Sequence, residues 1–467
     1  MAYLCVIEQD SKNTTELKAA AALFAAESKL EFINFKNFAE LDTYLELNSD
    51  SAIGLLVVSS ELIQNISAEN ILIVKEKYKT NIVITAFDDP LKPFKKTELW
   101  PIENIIYKPF DLPILQEHLR FAAVHGIKLS PLAVHSSKEN FKIEKLRRYT
   151  FLALSDFGFK IKADIHFEIG QAYKFYHFIF QDGKKMSLWV KPINKINDVY
   201  DFIFCYPSKN VAASLRKKST EMQNRLKNIN FSGYEKNKFL KKIKIGVQLD
   251  NQENTDTLKN FFKTKYPDVE IVEVKTDIKN PSQENFLNLI ISEIKYETKY
   301  LQDHFGPDVI YFRVTNDTFK NRDEAELALA NESVRLQKPI DRYYLSQMLS
   351  CYFPALNDTD PNVSKWFSAV DEALYSQMIV AKEFSEAAFV YDRETILAHS
   401  GYQEFFLPHE DENELKLLKA KIQYSDEKAQ SNKMFAHQVV FYGIRDNLLK
   451  KIRMWMLQNY IDKKSAE

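Results

Sequence analysis

Polar residues close several short apolar runs in the first quarter of the chain. Glu8-Gln9-Asp10 follows YLCVI, Ser59 follows LLVV, Thr85 follows NIVI, and Lys108 follows IIY. Carboxylates in such a position offer hard oxygen ligands to a divalent cation. A lysine together with a threonine hydroxyl can hold the oxygens of a phosphoryl group. The nucleophile is missing from this set: Ser59 and Ser60 follow Val58 where a carboxylate would have to receive the phosphoryl group. Further along, the basic pair Arg147-Arg148, preceded by Lys142 and Lys145, leads into Ser155-Asp156-Phe157-Gly158, a combination that favours a side-chain-stabilised turn. Arg313 ends the run DVIYF, and Lys338-Pro339 repeats Lys108-Pro109.

The elements that carry these residues alternate. Apolar runs at 3–7, 30–34, 55–58, 81–85 and 104–107 read as strands, and helical spacing recurs at 13–27, 37–45, 68–78 and 114–124. This alternation specifies a parallel sheet covered on both faces. In such a sheet, ligands bind beyond the carboxyl ends of the strands, where the polar residues lie. From 148 to 206 the pattern changes to aromatic and β-branched strands at 149–154, 157–163, 173–180, 186–190 and 200–205, with a hairpin expected at Gln181-Asp182-Gly183. A charged helix is expected over 212–227.

The α/β pattern restarts at 244–247. A helix is expected at 254–265, a strand at 269–275, a helix at 283–296 and a strand at 308–313. Strands return at 387–391, 395–398, 415–423 and 438–442, followed by a helix over 447–461 with Leu448, Leu449, Ile452, Trp455, Met456 and Tyr460 as an apolar stripe. The chain therefore reads as a tandem duplication of an α/β section followed by an antiparallel section. The expected sections are 1–125, 140–235, 241–350 and 366–463.

Composition narrows the function classes. Lys plus Arg number 63 and Asp plus Glu 64, so no net field draws the chain toward nucleic acid or anionic lipid. The start MAYLCVIEQD lacks the basic segment of a signal peptide, and no apolar run is long enough to span a bilayer, so a cytoplasmic protein without membrane insertion is expected. Cys5, Cys205 and Cys351 have neither metal-ligand nor redox spacing, and the nine histidines show no HxxH or HExxH pattern, so no metal is expected. A glycine-rich phosphate loop, a nucleophile elbow and a paired-carboxylate helix are all lacking, so no enzyme is expected.

Residues 1–125 resemble a response-regulator receiver domain, a flavodoxin-like fold with a five-stranded parallel sheet. In that family an acidic pair after the first strand binds Mg²⁺ and an aspartate after the third is phosphorylated. VIEQD keeps Glu8 and reads Gln9 at the second position, LLVVSS places Ser59 at the acceptor, ITA supplies Thr85, and YKPF supplies Lys108-Pro109. Residues 241–350 resemble a more decayed copy, with Gln248 and Leu249 at the acidic pair, Arg313 at the acceptor and Lys338-Pro339 retained. The antiparallel sections resemble PilZ domains, six-stranded barrels that often bind cyclic di-GMP. LALSDFGFKI carries Ala153, Ser155 and Gly158 at their turn positions, and KEFSEAAFVY carries Glu383, Ser385 and Ala388.

PilZ domains contact the dinucleotide through an Arg-x-x-x-Arg pair. Guanidinium groups suit that role because they bind phosphate and guanine edges bidentately. Here Arg147 and Arg148 are adjacent, and only Lys365 and Lys382 precede Ser385. The resemblance implies a non-catalytic signalling or scaffold protein of bacterial type without a cofactor, whose partner is another protein or a second copy met through a receiver or PilZ-like face. The alternative is a non-standard cyclic di-GMP receptor using Arg147, Arg148, Ser155 and Gly158. An enzyme whose site is assembled from scattered residues is a third, weaker reading.

Overall fold

A computed structural model of the chain describes residues 2–48, 50–63, 68–87, 102–124, 141–177, 186–207, 211–217, 243–274, 286–353, 356, 372–393, 402–406, 417–425 and 434–466. The chain divides into two compact units, neither of them continuous. One comprises Met1–Leu146, Gln377–His409 and Glu414–Glu467, the other Arg147–Ser376 and Glu410–Asn413.

The first unit opens with strands β1 (Ala2–Ile7), β2 (Leu30–Phe35), β3 (Ala52–Ser59), β4 (Asn81–Phe87) and β5 (Asn104–Lys108), all parallel, in the order β2-β1-β3-β4-β5. Between and after them lie helices α1 (Ser11–Ala22), α2 (Ala25–Ser28), α3 (Phe38–Leu47), α4 (Ala68–Tyr78) and α5 (Leu112–Ala123). The Asp10 side chain caps α1 by accepting from the Asn13 N–H, and Asp111 caps α5 by accepting from Ile114. Leu4, Val6, Leu55 and Val57 face Leu17, Leu115 and Leu119 on one side of the sheet. Cys5, Ile7, Leu56 and Val58 face Leu41 and Ile71 on the other. Cover on both faces explains why the strands read as unbroken apolar runs.

The second unit contains most of an antiparallel section, with β6 (Phe141–Leu154), β7 (Gly158–Lys162), β8 (Tyr173–His177), β9 (Met186–Ile196) and β10 (Val199–Phe204), then helical residues 211–217 as α6. A second parallel sheet follows: β11 (Lys244–Gln248), α7 (Gln252–Lys265), β12 (Glu270–Glu273), β13 (Leu289–Ser292), α8 (Thr298–Phe305), β14 (Ile310–Val314), α9 (Arg322–Asn331), β15 (Val334–Leu336) and α10 (Arg342–Tyr352). Its order, β12-β11-β13-β14-β15, repeats that of the first sheet. Both parallel sheets have the flavodoxin-like strand order. The chain ends with β16 (Glu372–Phe384), β17 (Ala388–Arg393), β18 (Tyr402–Phe406), β19 (Leu417–Ser425), β20 (Phe435–Phe441) and α11 (Asp446–Ala466).

Over 286–296, the described part of the helix expected at 283–296, the chain instead forms β13. Leu287 to Ile294 is a short apolar run whose period fits helix or strand, and the β-branched pair Ile290-Ile291 at the centre of a parallel sheet decides for the strand. The expected turn at 181–183, the strand at 395–398 and most of the helix at 212–227 lie outside the described residues.

β6 starts well before the strand expected at 149–154, β16 lies where no strand was expected, and the division between the units falls inside both. In the second unit, pairings run β16-β8-β9-β10-β7-β6 through Ala373–Ser376 and Phe151–Leu154. In the first, they run β6-β18-β19-β20-β17-β16 through Glu144–Leu146 and Ala381–Phe384. Each long strand thus supplies one end to its own section's sheet and the other end to the sheet of the other antiparallel section.

Candidate functional site

At the carboxyl end of the first parallel sheet, Glu8, Ser59, Thr85 and Lys108 come together, each 2% exposed or less. Parallel register places Ser59 beside Thr85 and Ile7 beside Val58, so the three strand ends present their polar side chains on the α1/α5 face. Lys108 Nζ donates to Glu8 Oε2 at 2.7 Å and to Ser59 Oγ at 3.0 Å. Glu8 Oε1 accepts from the Gln9 and Asp10 backbone N–H groups, both at 3.0 Å. The Phe87 ring lies 4.9 Å from the ammonium, and the exposed Glu61 carboxylate approaches it at 3.8 Å. Thr85 Oγ1 is buried and lacks a hydrogen-bond partner among the described residues. Gln9 and Asp10 are exposed, and Asp10 is committed to the cap of α1. Lys108 is thus the cation of a buried internal pair.

The second parallel sheet corrects the expected assignment of Arg313. Its third strand is β13, and Arg313 lies on β14, the fourth, opposite Ser292. The helix caps also shift the register by one residue. Asn251 caps α7 as Asp10 caps α1, so Leu249 and Asp250, not Gln248 and Leu249, match Glu8 and Gln9. On the α7/α10 face, which carries Val247, Ile291 and Val314, the next polar position after β13 is Glu293. Glu293 is ion-paired to Lys338 with its side chain only 5% exposed. The position of Ser59 is therefore filled by a carboxylate and that of Glu8 by Leu249. Gln248 turns to the other face, where its Oε1 accepts from Ser292 Oγ at 3.1 Å and from the Tyr296 hydroxyl. Arg313 reaches Glu332 at 3.1 Å, and Arg335 grips the same carboxylate bidentately at 2.7 and 2.8 Å.

The residues expected to contact a nucleotide have other partners. Arg147 pairs with Asp164, and Arg148 with Glu372 at 2.9 Å. Ser155 Oγ accepts from the Gly158 N–H at 3.0 Å and donates to the Gly158 carbonyl at 3.1 Å, both inside one buried turn. Ser385 makes the same pair of bonds with Ala388, at 3.0 Å each. Gly158 has no positive φ, so close approach makes it necessary: a Cβ there would lie 2.0 Å from the Phe202 carbonyl oxygen.

Several residues with structural work to do carried no legible motif. Lys421, 3% exposed, donates to the Ile102 carbonyl just before β5. Lys191, also 3% exposed, donates at 2.7 Å to the Glu332 carbonyl just before β15. Burial lowers the pKa of both ammonium groups. Arg453 on α11 bridges Asp111 at 2.8 Å and Glu386 at 2.7 Å, and Arg216 on α6 pairs with Asp341, the cap of α10. Asn104 accepts from the Ile105 and Gly443 N–H groups through Oδ1, so its Nδ2 must donate to the Phe441 carbonyl at 3.0 Å and to His118 Nδ1 at 2.8 Å. The signal available in sequence was the spacing Lys-Pro-x-Asp, which occurs at 108–111 and 338–341.

Among the described residues, no group of three or more His, Cys, Asp or Glu side chains is placed to hold a metal ion, and no helix is long and apolar enough to cross a membrane. No protein family and no curated relative matches the chain. Among solved structures, a two-component-system response regulator/GGDEF-domain protein is similar at 11% identity over 76% of this chain and 99% of its own, with a TM-score of 0.20. A similarity at that score supports no conclusion about activity.

Proposed function

We propose that this chain is a non-catalytic signalling or scaffold protein of bacterial type, built from degenerate receiver-like and PilZ-like sections and acting through protein–protein surfaces. The observation that carries this reading is the buried contact of Lys108 with Glu8 and Ser59. A lysine that must meet an incoming phosphoryl group has to be free to turn toward it. This one is bound by a neighbouring carboxylate, and the position that would accept the group is a serine hydroxyl already accepting from the same ammonium. Lys338, more exposed, is also ion-paired, to the buried Glu293 carboxylate. The PilZ-like reading of the antiparallel sections is supported by their six-strand orders and by the paired Ser155 and Ser385 turns. The commitment of Arg147, Arg148 and Ser155 to internal partners weighs against cyclic di-GMP as ligand.

The test is incubation of the purified chain with acetyl phosphate and Mg²⁺, followed by intact-mass and peptide analysis, alongside calorimetric titration with cyclic di-GMP. The expected outcome is no acyl phosphate and no heat above dilution. An acyl phosphate, on Glu293 above all, would overturn the non-catalytic reading, and saturable heat would replace it with the receptor reading.

A further inference from the structure

We infer that each receiver-like section is a docking surface for the antiparallel section of a different repeat, so that the two repeats of this chain are each other's binding partner. This inference is independent of the signalling reading. The first receiver-like section shares its compact unit with 377–409 and 414–467, and the second with 147–207. Neither unit pairs a receiver-like section with the bulk of the antiparallel section that directly follows it in sequence.

The same contacts are made twice, at equivalent positions. The aspartate that caps the last helix of each parallel sheet is held by an arginine from an antiparallel section's closing helix, Asp111 by Arg453 and Asp341 by Arg216. The carbonyl two residues before the last strand of each sheet accepts from a buried lysine, Ile102 from Lys421 and Glu332 from Lys191. A phenylalanine carbonyl at the end of each antiparallel section's last strand accepts from the docked receiver-like section, Phe441 from Asn104 on β5 and Phe204 from the Tyr344 hydroxyl on α10. In this last case the donor differs while the acceptor position is kept. Two sites that use different side chains to reach the same backbone position mark a mode of association that belongs to the repeat itself. The partner such a surface takes is a second repeat of this type, recognised by an arginine on its closing helix and a buried lysine on its sheet.

The experiment uses the intact chain with a specific protease site, flanked by Gly-Ser spacers, inserted between Ser232 and Gly233. After folding and cleavage, the fragments are expected to co-elute at the size of the uncut chain and to melt together. Fragments that separate under native conditions would overturn the proposal, because sections docked within their own repeat would part once the connection is cut. In the cleaved chain, Arg453→Met with Arg216→Met is expected to raise the dissociation rate at least tenfold. An unchanged rate would remove the arginine contacts from the recognition surface.

Discussion

Replacing Lys108 by Met deletes an ammonium that is 2% exposed and leaves Glu8, equally buried, without its cation. Methionine keeps the apolar stem, so the loss is electrostatic. Breaking a buried pair by removing one partner costs about 3–5 kcal/mol, because the remaining charge stays desolvated. Glu8 keeps two backbone N–H donors at 3.0 Å, which places the expected cost near the lower end, about 3 kcal/mol. Ser59 Oγ loses a donor as well, which adds about 1 kcal/mol. The companion change Glu8→Gln with Lys108→Met removes both charges and is expected to recover most of the loss, since replacing both members of a buried pair is often neutral. The cycle formed by the two single variants, the double variant and the parent isolates the coupling. It is read by guanidinium unfolding, with hydrogen exchange at β1–β5 assigning the loss to the first parallel sheet. A single-variant cost below about 1 kcal/mol would show a pair that behaves as if solvated, and would refute the buried-pair reading on which the proposed function rests.

Burial pushes the pKa of His118 down to about 4 from 6.5, so across that window the unfolded chain binds a proton that the folded chain does not. Stability is therefore expected to rise with pH through the window and to fall by roughly 3 kcal/mol on acidification across it; His118→Gln should flatten the slope in unfolding measured at both ends, and an unchanged slope would refute the assignment. Gly158→Ala forces a Cβ onto the Phe202 carbonyl and should cost about 1–3 kcal/mol, whereas Ala388→Gly at the matching position should cost no more than about 1 kcal/mol; equal effects would contradict the close-approach argument. Trp455 packs edge-on against Phe384 at 5.1 Å but is only partly buried, so Trp455→Ala is expected to cost about 2 kcal/mol, below the range for a fully buried aromatic, and a variant that melts like the parent would show the α11 seam to be dispensable.

The first parallel sheet was legible because its strands are apolar runs closed by polar residues, and because α1, α3 and α5 start from side-chain caps. The second was half legible. β13 has only four residues, and its flanking Leu287 and Ile294 extend the apolar run into one that a helix could also produce. With β13 read as helix, β14 counts as the third strand, and the residue near its end is Arg313 where the true third strand leads to Glu293. Strand-end position grouped Lys108 with Glu8 and Ser59 but did not show their direct pairing, and the partners of Arg147 and Arg148 left no signal. Glu8 lies 100 residues from Lys108, and Glu372 lies 224 residues from Arg148. Local pattern has no access to separations of that kind. The length of β6 was hidden for a related reason: Lys142, Lys145, Arg147 and Arg148 break its apolar alternation, and a strand that changes sheets part-way along need not keep one buried face throughout.

The two parallel sheets solve one electrostatic problem in opposite ways. Each has a lysine before a proline at or just after its last strand; the Lys108 ammonium is buried and costly unless a carboxylate meets it, while the part-exposed Lys338 also pairs with one. In the first sheet the carboxylate comes from the end of the first strand, Glu8, while the third ends in Ser59. In the second the first strand is followed by Leu249 and the carboxylate comes from just after the third, Glu293. Lysine and its counter-charge are retained together although the strand that supplies the charge has changed. A lysine–carboxylate pair at this place in both sheets points to a structural task. The Lys-Pro-x-Asp segment leads from this pair to the cap of the last helix, and Asp111 and Asp341 are the residues that Arg453 and Arg216 grasp. Anchoring the lysine sets the start of that segment, and the start of that segment sets where the docking aspartate stands. The Lys108–Glu8 pair thus serves as a fixed end for the surface on which the other repeat docks.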